Sequence, residues 1–204
     1  MSNANTYITS SCIIRNNTVV KNGVEVLTEA DTALPEFLRG LYDRFSGQYP
    51  KFHKMDLLSK LGWIATEVLL QDMPMETYAP EETGVVLANT SSSLDTDERY
   101  FETVREIASP ALFVYTLPNI VIGEISIRHK LKGENAFFVA ETFDIEFITG
   151  YVQQLLDTGA INACICGWVE QYHITYDAAL YLIEKNNRGL GVSFTAESIR
   201  KLYL

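Results

Sequence analysis

The chain has 204 residues, of which 47% are apolar and 21% are charged, and its formal charge is −10. This composition is typical of one globular domain with a substantial core, and it excludes a disordered chain. The acidic balance argues against a nucleic-acid partner, which needs a basic face, and against direct binding to acidic membrane surfaces.

The expected location is the cytoplasm. No stretch reaches the roughly 18 apolar residues of a membrane span, and the start, MSNANTYITSS, lacks the apolar region of a signal peptide. The three cysteines fit a reducing compartment, in which thiols need no partners. We expect a single domain over residues 1–204 with neither a cofactor nor a metal site.

The first third of the chain predicts strands followed by helices. Tyr7–Arg15 is rich in β-branched residues and reads as a strand, and Thr18–Leu27 reads as a hairpin around an Asn-Gly dipeptide, which favours a type I′ turn. A short helix is predicted over Pro35–Phe45. A long helix is predicted over Met55–Asp72, where apolar residues recur at i, i+3 and i+4.

The middle of the chain predicts two buried strands separated by helices. Thr83–Asn89 reads as the first strand, and Asp95–Ile107 as an amphipathic helix. Pro118–Leu131 is predicted to be a helix that lies inside the protein, because it is apolar around most of its circumference. Gly123 in its centre predicts the close approach of another backbone. Asn135–Thr142 follows as a second buried strand.

The last third completes an alternating pattern. A helix over Phe143–Thr158 is predicted to stop at a glycine, and strands follow over Ala163–Val169 and Ala178–Glu184. Ala196–Tyr203 reads as a terminal helix. Strands that alternate with buried helices predict an α/β fold, with a mostly parallel five-stranded sheet packed by helices and an added N-terminal hairpin.

The middle of the chain, from Ser109 to Asn135, carries a sequence pattern that resembles the N-terminal half of the β-ketoacyl synthases, which are condensing enzymes of the thiolase fold. The matching residues are Ser109, Pro110, Phe113, Asn119, Gly123, Leu131, Lys132, Gly133 and Asn135. Asp157–Gly167 is similar to a later strand approach of the family, and the resemblance covers about residues 85–184. It implies one half of a thiolase-like fold, without the half that carries the family's histidine pair.

The resemblance places Thr142 at the position of the family's nucleophilic cysteine. A threonine hydroxyl is not ionised near neutral pH, and no histidine lies near it in the sequence, so we interpret Thr142 as structural. An alternative hypothesis is a small acyl-thioester hydrolase or transferase that reuses the cleft with Glu141, Asp144 or His173.

The remaining cysteines and histidines are interpreted as structural. Cys164 and Cys166 form one C-x-C pair, whereas a zinc site needs four ligands, so both are predicted to be buried apolar residues, as is Cys12. His53 has no metal-site spacing to a partner, and His129 closes a predicted helix, where a cation is favourable.

The family resemblance implies a role as a short chain-length factor, of the kind found beside synthases for aryl-polyene and flexirubin-type pigments. Such a subunit is non-catalytic, pairs with an active β-ketoacyl synthase and helps to set the acyl or polyene chain length. An acyl-carrier protein would be reached through that partner. The implied lining of the acyl tunnel is Ser91, Ser92, Leu112 and Phe113.

The resemblance also implies how the chain assembles. The strand that leads to the nucleophile position pairs antiparallel with its mate across the dimer axis, and here its residues are Phe137, Phe138, Val139 and Thr142. The mate is a catalytic synthase in a heterodimer, or a second copy in a homodimer when the chain is alone. A further hypothesis is a self-associating scaffold with no acyl ligand.

Overall fold

The computed structural model describes residues 6–204. It contains a sheet of eight strands, seven α-helices and three short 3-10 helices within that range. The strands are β1 Tyr7–Arg15, β2 Thr18–Lys21, β3 Val24–Thr28, β4 Thr83–Asn89, β5 Asn135–Val139, β6 Ala163–Tyr172, β7 Thr175–Glu184 and β8 Val192–Ser193. The helices are α1 Leu34–Phe45, α2 Leu57–Leu70, α3 Leu94–Val104, α4 Pro110–Phe113, α5 Ile120–His129, α6 Ile145–Asp157 and α7 Ala196–Tyr203.

The strand order is β3-β2-β1-β7-β6-β4-β5, and β8 pairs with the end of β1. β4 pairs in parallel with β5 and β6, whereas β7 is antiparallel to β6 and β1. The strands β1, β4, β5 and β6 therefore run in one direction, so the predicted α/β fold with a mostly parallel set of five long strands is confirmed. β7 runs the opposite way because a tight turn at His173 and Ile174 joins it to β6.

The N-terminal hairpin extends this sheet. Asn22 and Gly23 have φ values of 53° and 78°, as the predicted type I′ turn requires. β2 and β3 continue the sheet beyond β1, which raises the strand number above the five that the alternating pattern predicted.

Helices cover both faces of the sheet. One core lies under α1, α2 and α5, and the other lies under α6 and α7. α2 is the most completely buried helix, and Leu61, Trp63 and Ile64 are fully inaccessible to solvent. Its Asp56 cap accepts a hydrogen bond from the Ser59 backbone N–H (3.0 Å), which fixes where the helix begins.

The prediction that the helix after Pro118 lies inside the protein is only partly right: α5 buries Val121, Ile122, Glu124 and Ile125. Ile127 of α5 is 62% exposed, because α5 lies over the border of the sheet and packs mainly against α2. Gly123 also has open space beside it. The close helix approach occurs instead at Gly62 of α2, where an added Cβ would overlap the Cγ2 atom of Val121.

β5 is an edge strand rather than a buried central one, which corrects the second strand prediction. Within residues 6–204 its sheet partner is β4 alone, and Val139 is 57% exposed. The strand ends at Val139 instead of Thr142, because the chain bends there to enter α6. Among the described residues, no helix is long and apolar enough to cross a membrane.

Candidate functional site at the carboxyl ends of the parallel strands

The carboxyl ends of β4, β5 and β6 lie side by side, the position at which open α/β sheets hold their ligands. The turn Thr90–Ser93 follows β4 and joins its neighbours there. The Thr90 hydroxyl is 3.0 Å from the carbonyl oxygens of both Ala140 and Glu141, to which it donates. The Ser93 hydroxyl donates to the Thr116 carbonyl oxygen (2.8 Å). This turn therefore fixes the position of the segment that contains Thr142.

Glu170 of β6 completes the turn. Its Oε2 atom accepts hydrogen bonds from the backbone N–H groups of Thr90 (2.6 Å) and Ser91 (3.1 Å). Sequence reasoning missed this residue because the strand prediction ended at Val169, whereas β6 continues to Tyr172. Two adjacent N–H groups that would suit an anionic ligand are occupied by the protein's own carboxylate.

Thr142 lies exposed in the bend between β5 and α6. No hydrogen bond from its hydroxyl to a basic side chain occurs within residues 6–204. Asp144, one of the alternative bases, is the N-cap of α6 and accepts a hydrogen bond from the Phe147 backbone N–H (2.9 Å). Glu141 is exposed beside Thr142. Phe143 turns inward, between the rings of Trp168 (5.7 Å) and Tyr203 (5.3 Å).

His173 lies against α3. Its Nδ1 atom is 3.7 Å from Asp95 and its Nε2 atom is 3.6 Å from Glu98, while its backbone N–H donates to Asp95 (3.0 Å). The hydrogen bond that Tyr172 donates to Glu98 raises the pKa of the tyrosine. The imidazole therefore lies near two carboxylates without a hydrogen bond to either, and within residues 6–204 it forms no hydrogen bond to Thr142.

The four residues expected to line a tunnel occupy three different environments. Ser91 and Ser92 lie half-buried in the turn after β4, and Phe113 is 60% exposed with its ring 5.4 Å from Tyr100. Leu112 lines a cavity of about 570 Å³ between α2, α3 and α4. The isolated chain thus does not bring these residues together into one wall.

Charged groups line the same cavity or lie next to it. Asp56 accepts a hydrogen bond from the Thr96 hydroxyl (3.0 Å), and burial raises the pKa of this carboxyl group. Lys60 also lines the cavity, and burial lowers the pKa of its ammonium group. Tyr115 donates a hydrogen bond to the buried Glu124 (3.2 Å), and Lys51 lies 2.8 Å from the same carboxylate.

A larger cavity of about 750 Å³ lies at the opposite end of β4, near Thr83. Among the charged groups that line it is Glu67, which accepts two hydrogen bonds from Arg128 (3.2 and 3.1 Å) and lies 2.9 Å from His129 Nε2. Burial opposes ionisation of Glu67, but these contacts outweigh it and lower the pKa to about 2. The contact with Glu67 gives His129, at the end of α5, a structural role.

All three cysteines are buried and unpaired, as predicted. Burial raises the pKa of the Cys12 thiol to about 12 and also raises the pKa of Cys164. Residues 6–204 contain no group of three or more side chains that could hold a metal ion. His53 packs edge-on against the ring of Tyr42, at 5.0 Å between ring centres.

No protein-family model and no curated protein matches the chain in sequence. Solved structures match it in fold. The ishigamide ketosynthase/chain length factor superposes with a TM-score of 0.66 and 19% identity, over 88% of this chain and 62% of that one. A β-ketoacyl synthase from Burkholderia phymatum superposes with a TM-score of 0.62 and 13% identity, over 89% of this chain and 59% of that one.

A structure from Xenorhabdus doucetiae contains the ketosynthase ApeO in complex with its chain length factor ApeC. The matched chain of this complex superposes with a TM-score of 0.59 and 14% identity, over 98% of the present chain and 90% of its own length. At these identities the likeness shows the fold alone. The chain has the ketosynthase-like fold, and it spans about 62% of the ishigamide protein.

Proposed function

We propose that this protein is a non-catalytic ketosynthase-like subunit that pairs with an active β-ketoacyl synthase and helps to set the length of the acyl chain. The observation that carries the proposal is the free edge of β5. This edge adjoins Thr142, to which the resemblance assigns the position of the family's nucleophile. The ketosynthase complexes of similar fold, such as ApeO with its chain length factor ApeC, support a partner of this kind.

The hydrogen-bonding groups of β5 divide into two sets. The Glu134 carbonyl oxygen accepts from the Val85 N–H and the Ala140 N–H donates to the Asn89 carbonyl oxygen, so even-numbered residues face β4. The N–H and C=O groups of Asn135, Phe137 and Val139 therefore point away from the sheet. Unpaired groups of this kind beside apolar side chains form a template for another strand.

The side chains of β5 suit a covered position. Phe137 packs against one core and Phe138 against the other, so both faces of the strand are apolar. Phe138 also meets Phe147 of α6 at 4.8 Å between ring centres, and Phe147 is itself partly exposed. A partner strand would bury these side chains together with the backbone groups.

A second element supports burial against a partner. Over residues 97–119, which contain most of α3 and all of α4, Tyr115 is the only buried residue. The segment nevertheless carries many exposed apolar side chains: Phe101, Val104, Ile107, Phe113, Val114 and Leu117. Exposed patches of this kind mark interaction sites in soluble proteins. In such a pair Phe113 and Leu112 would reach the partner's tunnel.

The chemistry of the site supports a non-catalytic role. All three cysteine thiols are buried and so not accessible to an acyl thioester, and burial raises the pKa of Cys12 and Cys164, which disfavours a thiolate at these two positions. Asp144 is engaged as a helix cap, and the side chain of His173 makes no hydrogen bond to a hydroxyl or thiol group within residues 6–204. The residues of the hydrolase or transferase alternative are therefore not arranged as a nucleophile and its base.

Co-expression with a β-ketoacyl synthase tests the proposal. We expect a stable pair, and we expect Phe113→Ala or Leu112→Ala to lengthen the products while Glu36→Ala on α1 leaves them unchanged.

Mass spectrometry of the isolated chain after incubation with acyl-carrier thioesters should show no covalent adduct. An adduct, or turnover by the isolated chain, would support the hydrolase alternative instead. Unchanged product lengths in both tunnel variants would contradict the chain-length role.

A further inference from the structure

The surface proposed for pairing is unusually acidic. We call it the docking face, and it consists of residues 94–119 and 134–147, which the turn Thr90–Ser93 joins through its hydrogen bonds to Thr116 and to Ala140 and Glu141. The face carries nine carboxylates against two arginines, and residues 134–147 contain no basic residue. Most of the net charge of −10 is therefore concentrated on one side of the molecule.

Several of these carboxylates are already engaged by the protein. Asp95, Glu98 and Asp144 have the contacts described above, and Glu146 forms an ion pair with Arg200. The remaining exposed glutamates form neither an ion pair nor a side-chain hydrogen bond within residues 6–204: Glu102, Glu106, Glu134 and Glu141. Their charge is available to a partner.

Self-pairing would bring these glutamates together. In a symmetric dimer the same face meets itself, so every acidic region faces an acidic region. If the twofold axis passes through the middle of β5, the end of the strand at Glu134 in one copy lies next to the end that leads to Glu141 in the other, because paired antiparallel strands run in opposite directions. The exposed carboxylates at these two ends then add to the like charge that faces itself across the interface. Lys132 precedes β5 in the chain, but its ammonium group lies 3.9 Å from the Glu81 carboxylate and so is already paired with an acidic group.

We infer that the docking face is built for a non-identical chain whose matching face is basic, and that it disfavours pairing with a second copy. The inference rests on the proposed function, because it takes the β5 edge as the pairing surface. The apolar side chains would supply the buried area, and the glutamates would select the partner, since like charges across an interface are costly and opposite charges favour the correct pair. The expected partner carries lysines or arginines beside its own edge strand.

A charge-reversed form of the same chain provides a defined probe. The reversed variant carries four substitutions at exposed positions of the docking face, which leave five carboxylates against six basic groups there: Glu102→Lys, Glu106→Lys, Glu134→Lys and Glu141→Lys. The control variant carries the same charge change at exposed positions outside that face: Glu25→Lys, Glu36→Lys, Asp43→Lys and Glu76→Lys. Sedimentation equilibrium measures each protein alone and in equimolar mixture with the wild type, at low and high salt.

We expect the wild type and the reversed variant each to self-associate weakly, and their mixture to associate at least about tenfold more tightly. Salt should weaken the mixed pair and strengthen wild-type self-association, and the control variant should give no such mixed pair.

The inference would be overturned if the wild type formed a tight dimer at low salt and its mixture with the reversed variant associated no more tightly. If Val139→Pro dissociated that dimer, the β5 edge would still be a pairing surface, so the proposed function would stand. Absence of association in every mixture would also overturn the inference, and the ketosynthase co-expression would then test the proposed function separately.

Discussion

At the scale of single residues, the glycines show what sequence periodicity does not specify. The pattern predicts which face of a helix is apolar, but not which glycine on that face meets a neighbouring helix. Gly123 lies in open space, whereas Gly62 has Val121 and Val169 against it. Gly167 has φ of +144°, and an added Cβ would overlap the Ala179 carbonyl oxygen. Only the packed structure distinguishes these positions.

Gly62→Ala and Gly123→Ala form a matched pair of substitutions. Alanine is favoured over glycine inside a helix by ~1 kcal/mol, and at Gly123 nothing opposes this gain. At Gly62 the overlap with the stiff Val121 side chain should cost ~1–3 kcal/mol, which exceeds the gain. Urea unfolding should therefore show a more stable Gly123→Ala variant and a less stable Gly62→Ala variant. Equal shifts in both would contradict the close approach of α2 and α5.

Glu67 makes stability depend on acid pH. Its pKa is about 2 in the folded protein against an ordinary value of 4.5, so its ionised form stabilises the fold above pH 4.5. This contribution should be lost as the pH falls from 4.5 towards 2. Glu67→Gln should lower the free energy of unfolding by ~1–3 kcal/mol at pH 7, and the difference from the wild type should shrink towards pH 2. Glu102→Gln, on an exposed surface, is the control, and an unfolding difference for Glu67→Gln that is constant with pH would refute this role.

At the scale of elements, local patterns predicted most of the helices and strands but not their neighbours. β1 and β4 have the predicted bounds, and α2 differs from its prediction by two residues at each end. The errors concern burial: the apolar pattern of Pro118–Leu131 and Asn135–Thr142 predicted a central position, yet both lie at the border of the sheet. Apolar residues look the same whether the chain or a partner covers them.

The free edge of β5 gives a directional test with proline. The Val139 N–H points outward, so Val139→Pro should weaken association with a ketosynthase while the melting temperature changes little. The Ala136 N–H faces β4, so Ala136→Pro should break the internal ladder and lower the melting temperature of the monomer. Co-purification and thermal melts of both variants separate the two effects. Equal melting losses would show that Val139 is also needed for the fold.

At the scale of the whole molecule, the two borders of the sheet differ in character. The hairpin strand β3 forms one border, with side chains that are exposed or half-buried. α6 and α7 cover one face of the sheet through buried residues such as Ile199. The other border leaves β5 and residues 97–119 uncovered, next to the bend that contains Thr142. The sequence pointed to Thr142 through its resemblance to condensing enzymes, but it predicted a strand there and not a bend. It could not show that Glu170 fixes the turn beside it, because residues 90 and 170 meet only in the folded sheet.

The same asymmetry predicts where the molecule opens most easily. Segments with few buried side chains exchange their backbone amide hydrogens through low-energy local opening, whereas core strands need global unfolding. Residues 97–119 bury only Tyr115, so their amides should exchange quickly in the isolated chain, while those of β6 and β7 should exchange slowly.

Association with a partner at the docking face should slow exchange in residues 97–119 and at Asn135, Phe137 and Val139. Hydrogen exchange read by mass spectrometry, with and without a bound ketosynthase, measures both regions in one experiment. The hairpin β2–β3 at the far border is the internal control, since its exchange should not change. Protection confined to that hairpin would place the partner on the opposite border and exclude the β5 edge as the pairing surface.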